Sequence, residues 1–313
     1  MQRDNYSTFA VVNPNSSNGR TGRQWRRIAA HLEEAVGQFA HAFTEGPLHA
    51  TQLTRQALRD GYEMVVSVGG DGTHNEVVNG FFENRAPIAP SAVFGIIPCG
   101  TGGDLRKTAN IPRPLDQAAM KLWGKTCKAV DVGVMRCIGF DGQPSERLFI
   151  NITSFGIGGE VDRNVNTTTK VLGGFASFLI ASAKAVATYK NKAVEIEVDG
   201  RQLGTRNVFM AAACNGQFFG GGMWVAPHAL MDDGFFDIVI EEDVTLLEAL
   251  LDNPKIYKGR HLLSPKVSWL RGKKLVARPS PPELEVLIDM DGETPGKLPI
   301  EIELLESALR LKM

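Results

Sequence analysis

The chain has 313 residues, 43% apolar and 22% charged, a composition that excludes disordered and fibrous proteins and suits two globular domains. Its 34 basic residues nearly cancel 35 acidic ones, so no global field draws it to nucleic acid. Cys99, Cys127, Cys137 and Cys214 form no Cys-x-x-Cys pair and lack a His cluster, which argues against a zinc site or a disulfide framework and fits a reducing cytoplasm.

In chain order, the polar start MQRDNYSTF holds no signal-peptide core, and TFAVV reads as a strand. After the loop NPNSSNGRTGR, Trp25, Ile28, Ala29, Leu32, Ala35 and Val36 follow the 3.6 period of an amphipathic helix. A second helix is predicted from about Pro47, suited to a first helical position, to Arg59. MVVSV is a buried strand, followed by a helix from about Thr73 to Phe82, the strand AVFGIIP, and helical segments around Leu105 and from Leu115 to Trp123. Such alternation implies a parallel sheet covered on both faces.

Beyond about residue 132 strand patterns dominate: RLFINIT, AVEIEVDG, RNVFMAAA, FFDIVIEE, KLVAR and LEVLIDMD, separated by turn residues as in an antiparallel sandwich. A helical insertion at about 160–190 interrupts them, and its apolar stretch Val171–Ala187 is shorter than the ~20 residues that span a bilayer. The end, PIEIELLESALRLKM, reads as a strand pair assignable to either domain. The predicted division is 1–131 and 132–299, with 300–313 able to return to the first domain.

VVSVGGDGTHNEVVNG, residues 65–80, runs from a strand through Gly69, Gly70, Asp71 and Gly72 into a helix. Backbone N–H groups at a helix N-terminus stabilise an anion, glycines admit a phosphate, and Thr73 can cap the helix. A carboxylate in such a loop repels phosphate unless a cation or a ligand hydroxyl intervenes, so Asp71 points to a metal nucleotide. A plain strand-to-helix turn is an equally good reading of these five residues. Neither G-x-G-x-x-G nor a P-loop is present, since the WGKT tail at 123–126 has Ala119 where glycine is required. NPNSS, GGDGT and PCGTGGD each follow a strand of the parallel sheet, at the edge where open α/β sheets bind ligands.

In this order NPNSS, TEGPLHA, GGDGTHNEVVNG, GTGGDLRKT, VDVG, GGGMWVAPHALMDDGFFDIVI, YKGRH and DMDGE resemble the diacylglycerol kinase catalytic-domain superfamily, which includes bacterial lipid kinases and sphingosine kinases. The resemblance implies a doubly wound Rossmann-like (phosphofructokinase-like) α/β domain, a β-sandwich domain for lipid and metal, and an active site in the cleft between them. Also implied is an ATP- and Mg²⁺-dependent lipid kinase of phospholipid biosynthesis. ATP contacts then fall to Asn13, Pro14, Asn15, Ser16, Ser17, Thr44, Gly69, Gly70, Asp71, Gly72, Thr73, His74, Asn75 and Thr101. A Mg²⁺ site follows from the Asp233 carboxylate and the backbone carbonyls of Leu230 and Phe235, oxygen donors that suit a hard cation. The same segment also reads as a plain Asp-Asp-Gly turn. Two departures are Ser17, where the family has Gly, and Gly103, where it has Asn.

In LEVLIDMDGE the alternation of a strand puts Asp289, Asp291 and, if the strand continues past Gly292, Glu293 on one face. Mutual repulsion there should raise at least one pKa and improve a proton acceptor. The resemblance favours Glu293 as that acceptor, with Asp291 its partner and Asp71 on the Mg-nucleotide side. The expected partners are a lipid substrate and a membrane touched peripherally, and a homodimer is compatible. The apolar segment with Phe175, Phe178, Leu179 and Ile180, and the basic clusters Lys255, Lys258, Arg260, His261 and Arg271, Lys273, Lys274, are candidates for that contact or ordinary packing and surface. A kinase of a soluble hydroxyl, as NAD kinases are, and a silent nucleotide-binding regulator stand as alternatives.

Overall fold

The computed structural model describes residues 6–167 and 188–313. The chain divides into two compact units, Met1–Val132 with Glu306–Met313, and Gly133–Leu305. The apolar segment carrying Phe175 to Ile180 lies outside the described residues.

The first unit runs β1 (Thr8–Val12), α1 (Ser16–Arg23), α2 (Trp25–Val36), β2 (Ala40–Phe43), α3 (His49–Arg59), β3 (Met64–Gly69), α4 (Asp71–Gly80), β4 (Val93–Pro98), α5 (Asp104–Thr108) and α6 (Leu115–Met120). Its strands are parallel in the order β4-β3-β1-β2. The chain leaves β1 in one direction for β2 and crosses to the other side for β3, which makes a topological switch point beside β1. β3 and β4 are buried at every position, the physical reason for their unbroken apolar sequence. Helix α2 buries Ile28, Leu32, Ala35 and Val36, the face its periodicity predicts.

Two predicted helix starts move. α3 begins at His49 behind Leu48 in the left-handed region, so Pro47 precedes the helix instead of opening it. α4 begins at Asp71, two residues before the predicted start, with extended Gly70 as its N-cap. Thr73 therefore sits inside the first turn and does not cap it.

The second unit contains β5 (Lys128–Ile138, whose start belongs to the first unit), β6 (Pro144–Phe149), β7 (Ile152–Gly156), α7 (Ile157–Thr167), β8 (Lys192–Val198), β9 (Arg201–Cys214), β10 (Phe236–Glu242), α8 (Leu246–Ile256), β11 (Val267–Gly272), β12 (Lys274–Pro279), β13 (Ile288–Met290) and β14 (Lys297–Leu311, whose end from Glu306 belongs to the first unit). Antiparallel neighbours run β11-β10-β9-β8-β12-β14, while β7 pairs with β9 and β13, and β5 with β6. Along β9 and β10, Ala211, Ala213, Ile238 and Ile240 join one apolar core with Phe149, Phe155 and Phe236. Alternate residues Met210, Ala212, Cys214 and Val239 join a second with Val225, Ala226 and Ile256. Both faces of these strands are thus covered.

Several predicted strands change. RLFINIT breaks at Ile150 and Asn151 into β6 and β7, and LEVLIDMD yields only the short β13. β11 and α8 carry no signal recognised in the sequence. The C-terminal stretch is one long strand, not a pair: Ile300–Glu303 lie antiparallel to β12, and Arg310 and Leu311, themselves part of the first unit, pair in parallel with Val93 and Phe94 of β4.

Candidate functional site

Register brings the three polar loops of the first unit to one level. Val12 pairs with Phe43 and Val68, and Gly69 with Pro98, so Asn13, Thr44, Gly70 and Cys99 all follow at the carboxyl edge. The ladder extends past the strands through Asn13 N–H to Val68 O at 2.9 Å, Thr44 N–H to Val12 O at 2.8 Å and Cys99 N–H to Gly69 O at 2.7 Å.

Side chains then tie loop to loop. Asn13 Nδ2 donates to Thr73 Oγ1 at 2.9 Å, joining the first loop to α4, and Ser17 Oγ donates to the Cys99 carbonyl at 2.5 Å, joining it to the third. Asp71 accepts from the Gly103 N–H at 2.8 Å and the Leu105 N–H at 3.3 Å. The backbones of the second and third loops touch, since a Cβ on Gly100 would lie 2.5 Å from Gly70 Cα. Only glycine permits that approach.

Both departures from the family pattern have a conformational meaning. Gly103 has φ +66, the left-handed region open to glycine and asparagine alike, so Gly replaces Asn there without strain. Ser17 has φ 52 and ψ 46 and is followed by left-handed Asn18 and Gly19, which kinks α1. A glycine would adopt this turn freely, and here a serine holds it through its bond to Cys99.

Of the remaining predicted nucleotide residues, Asn15 and Thr101 are exposed at the edge and Thr44 is buried. Pro14 and Ser16 are half-buried, and Pro14 O accepts the Gly22 N–H at 3.0 Å. The first-turn N–H groups of α4 at Asp71, Gly72 and Thr73 have no intrahelical acceptor by helix geometry. The His74 ring is buried and bonded through Nδ1 to Ser67 Oγ at 2.7 Å, with burial lowering its pKa to about 3. Its side chain therefore serves the core as a neutral imidazole, and Asn75, also buried, meets Asn79. Burial likewise pushes the Cys99 thiol up to about 11, so no thiolate sits at this edge at neutral pH. Arg20 and Arg23, exposed beside the first loop, are cations the sequence reading passed over, although GRTGR follows NPNSS directly.

In the second unit the carboxylates do not share a strand face. β13 ends at Met290, and Asp291 (φ 50) and Gly292 (φ 86) form a two-residue turn that brings Glu293 back against Met290. Asp-Gly favours such a turn because both positions need positive φ. Each carboxylate has its own partners. Asp291 accepts the N–H groups of Ile152 at 2.9 Å and Ile150 at 3.2 Å, bridging the break between β6 and β7. Asp289 accepts from Ser154 Oγ at 3.2 Å and the Gly292 N–H at 3.0 Å, and Glu293 pairs with Arg147 at 3.2 Å. Buried Asn151 and Asn215 stand next to this turn: Asn215 Nδ2 donates to Ile150 O at 2.7 Å, Asn151 Nδ2 to Phe218 O at 2.8 Å. An asparagine inside RLFINIT and another closing AAAC are polar interruptions that could have flagged them.

Of the residues expected to hold Mg²⁺ in this unit, Asp233 is engaged by the protein's own groups. Asp233 is ion-paired with Arg271 through Oδ2 and accepts the Phe235 N–H through Oδ1 at 3.2 Å. The Arg271 guanidinium also lies 4.5 Å from the Phe235 ring, and Lys273 5.1 Å. Among the described residues no group of three or more His, Cys, Asp or Glu is arranged for a metal.

Residues 7–135 match the Diacylglycerol kinase catalytic domain, and residues 151–313 match the YegS C-terminal NAD kinase beta sandwich-like domain. The diacylglycerol kinase of Staphylococcus carnosus (strain TM300) is 28% identical over 290 residues, 92% of this chain and 89% of that protein. That of Bacillus subtilis (strain 168) is 27% identical over 281 residues, 87% and 86% of the two chains. A crystal structure of a diacylglycerol kinase from Bacillus anthracis str. Sterne has the same fold, with a TM-score of 0.71 at 20% identity over 99% of this chain and 98% of that one.

Proposed function

Because this chain belongs to the diacylglycerol kinase catalytic-domain superfamily and is a lipid kinase, we propose that it transfers the γ-phosphate of ATP to the hydroxyl of a diacylglycerol-like lipid. The observation that carries the nucleotide half is the joining of three loops at one sheet edge by Asn13, Ser17 and Asp71. Asn13 to Ser17, Thr44, Gly69 to Thr73 and Thr101 line the phosphates and nucleoside, with His74 and Asn75 contributing through their backbone. Arg20 and Arg23 add positive charge. Asp71 is the carboxylate on this edge that would serve a Mg²⁺ bound with the nucleotide, an ion that would neutralise the phosphate charge.

Glu293 takes the proton from the lipid hydroxyl. Arg147 orients its carboxylate, and Asp291 fixes the turn that presents it by holding the two N–H groups of the β6–β7 break. Asp291 is a positioning residue in this scheme.

A mixed-micelle assay of phosphate transfer from ATP to diacylglycerol tests the reading. Glu293→Gln should retain ATP binding and lose about 10²- to 10⁴-fold in turnover, the usual range for a general base. Wild-type turnover by Glu293→Gln would remove the base assignment, and transfer to soluble alcohols alone would remove the lipid acceptor.

A further inference from the structure

The segment 255–266, KIYKGRHLLSPK, carries four cations and no carboxylate, and leads from α8 through the 3-10 turn Arg260–Leu263 to β11. It is firmly seated on one side. Ile256 is buried in the second apolar core with Leu262 packed against it, and His261 is buried with Nε2 2.9 Å from the Val225 carbonyl. Backbone bonds from Gly259 N–H to Ile256 O at 3.1 Å and Ser264 N–H to His261 O at 2.9 Å hold its shape.

The other side faces outward. Leu263 is 83% exposed and Tyr257 45%, a large apolar exposure for side chains so well supported from behind. Lys255, Lys258 and Arg260 are exposed among them, and Lys266 meets Glu248 and the Asp243 carbonyl. The other basic run divides differently: Arg271 is bound to Asp233, Lys273 lies over Phe235, and Lys274 bridges Glu301 and Glu303. Cations interleaved with protruding apolar side chains match a bilayer, whose anionic headgroups lie above a hydrocarbon layer.

We propose that the Lys255–Leu263 face docks on an anionic lipid bilayer, with Leu263 and Tyr257 entering the interface and Lys255, Lys258 and Arg260 at the headgroups. It rests on the lipid-kinase reading for the bilayer's relevance, since a lipid acceptor resides there. His261 is excluded from the contact by its burial, and its role is to hold the turn.

Sedimentation of the full chain with vesicles of phosphatidylcholine alone, or of equal parts phosphatidylcholine and phosphatidylglycerol, tests the proposal. The wild type should bind the anionic vesicles, and added salt should weaken that binding. Lys258→Glu with Arg260→Glu should bind them about thirtyfold or more weakly. Leu263→Asp should lose about tenfold. Both variants should keep the wild-type melting temperature and turnover of a short-chain diacylglycerol presented below its micelle concentration. Unchanged vesicle binding by both variants would overturn the proposal, as would a wild type that binds neither vesicle, an outcome pointing to a protein partner. Vesicle binding that depends on these residues, in a protein that phosphorylates no lipid, supports the face and defeats the kinase reading instead.

Discussion

Asp71 and Gly103 are joined by a 2.8 Å hydrogen bond from the Gly103 N–H to the Asp71 carboxylate, which also takes the Leu105 N–H at 3.3 Å. A residue that seems misplaced in a phosphate loop therefore supports the neighbouring loop. It is a charge-assisted bridge across 32 residues of sequence. Asp71→Asn keeps one acceptor and turns an amide N–H₂ towards a backbone donor. The variant should lose about 2 kcal/mol in urea unfolding and at least ~10²-fold in kcat/KM. Wild-type values for both would show that the bridge supports neither loop nor reaction.

Ser17 gives a differential prediction. Its left-handed backbone carries about 1 kcal/mol of strain that glycine would relieve, while its hydroxyl bond to Cys99 contributes about as much. Ser17→Gly should be near neutral and Ser17→Ala destabilised by about 1 kcal/mol, as read by denaturant midpoints. If alanine proves the more stable of the two, the strain is not where the backbone places it.

Arg271 predicts a cation-independent second unit. Without nucleotide, the melting temperature should be the same in EDTA and in Mg²⁺. Arg271→Ala, an exposed pair worth no more than ~1 kcal/mol, frees Asp233 and should make melting rise with Mg²⁺. A Mg²⁺-dependent rise in the wild type that disappears in Asp233→Ala would restore the metal to this loop.

His74 predicts a pH dependence. Burial holds its folded pKa at about 3, against about 6.5 unfolded, so acid protonates the unfolded chain first. Stability is full above the unfolded value and falls as pH drops towards the folded one. Between pH 7 and 5 this residue alone should remove about 2 kcal/mol. His261, shifted the same way by burial, adds to the slope. Urea midpoints of the wild type and His74→Asn at the two pH values check this: the variant should lose that share of the slope, and an undiminished slope would mean that His74 titrates in the folded protein.

The first unit was legible in sequence because parallel strands are continuous apolar runs and amphipathic helices repeat locally, as β3, β4 and α2 do. Its three loops were legible for the same reason, each following a readable strand. Less could be read in the second unit, where short strands owe their existence to partners far along the chain. β11 is a strand because β10 pairs with it, and Asp291 and Gly292 end β13 in a turn that alternation alone would run straight through.

By itself the sequence determined the element alternation, the glycine loops and the family, since each rests on local pattern or on motif order. Tertiary structure decided where the charges go. Asp71 holds a loop, Glu293 faces Arg147, Asp233 faces Arg271 and Lys274 faces Glu301 and Glu303. Ion pairs and backbone-accepting carboxylates carry no periodicity, so only the folded chain brings such partners within reach.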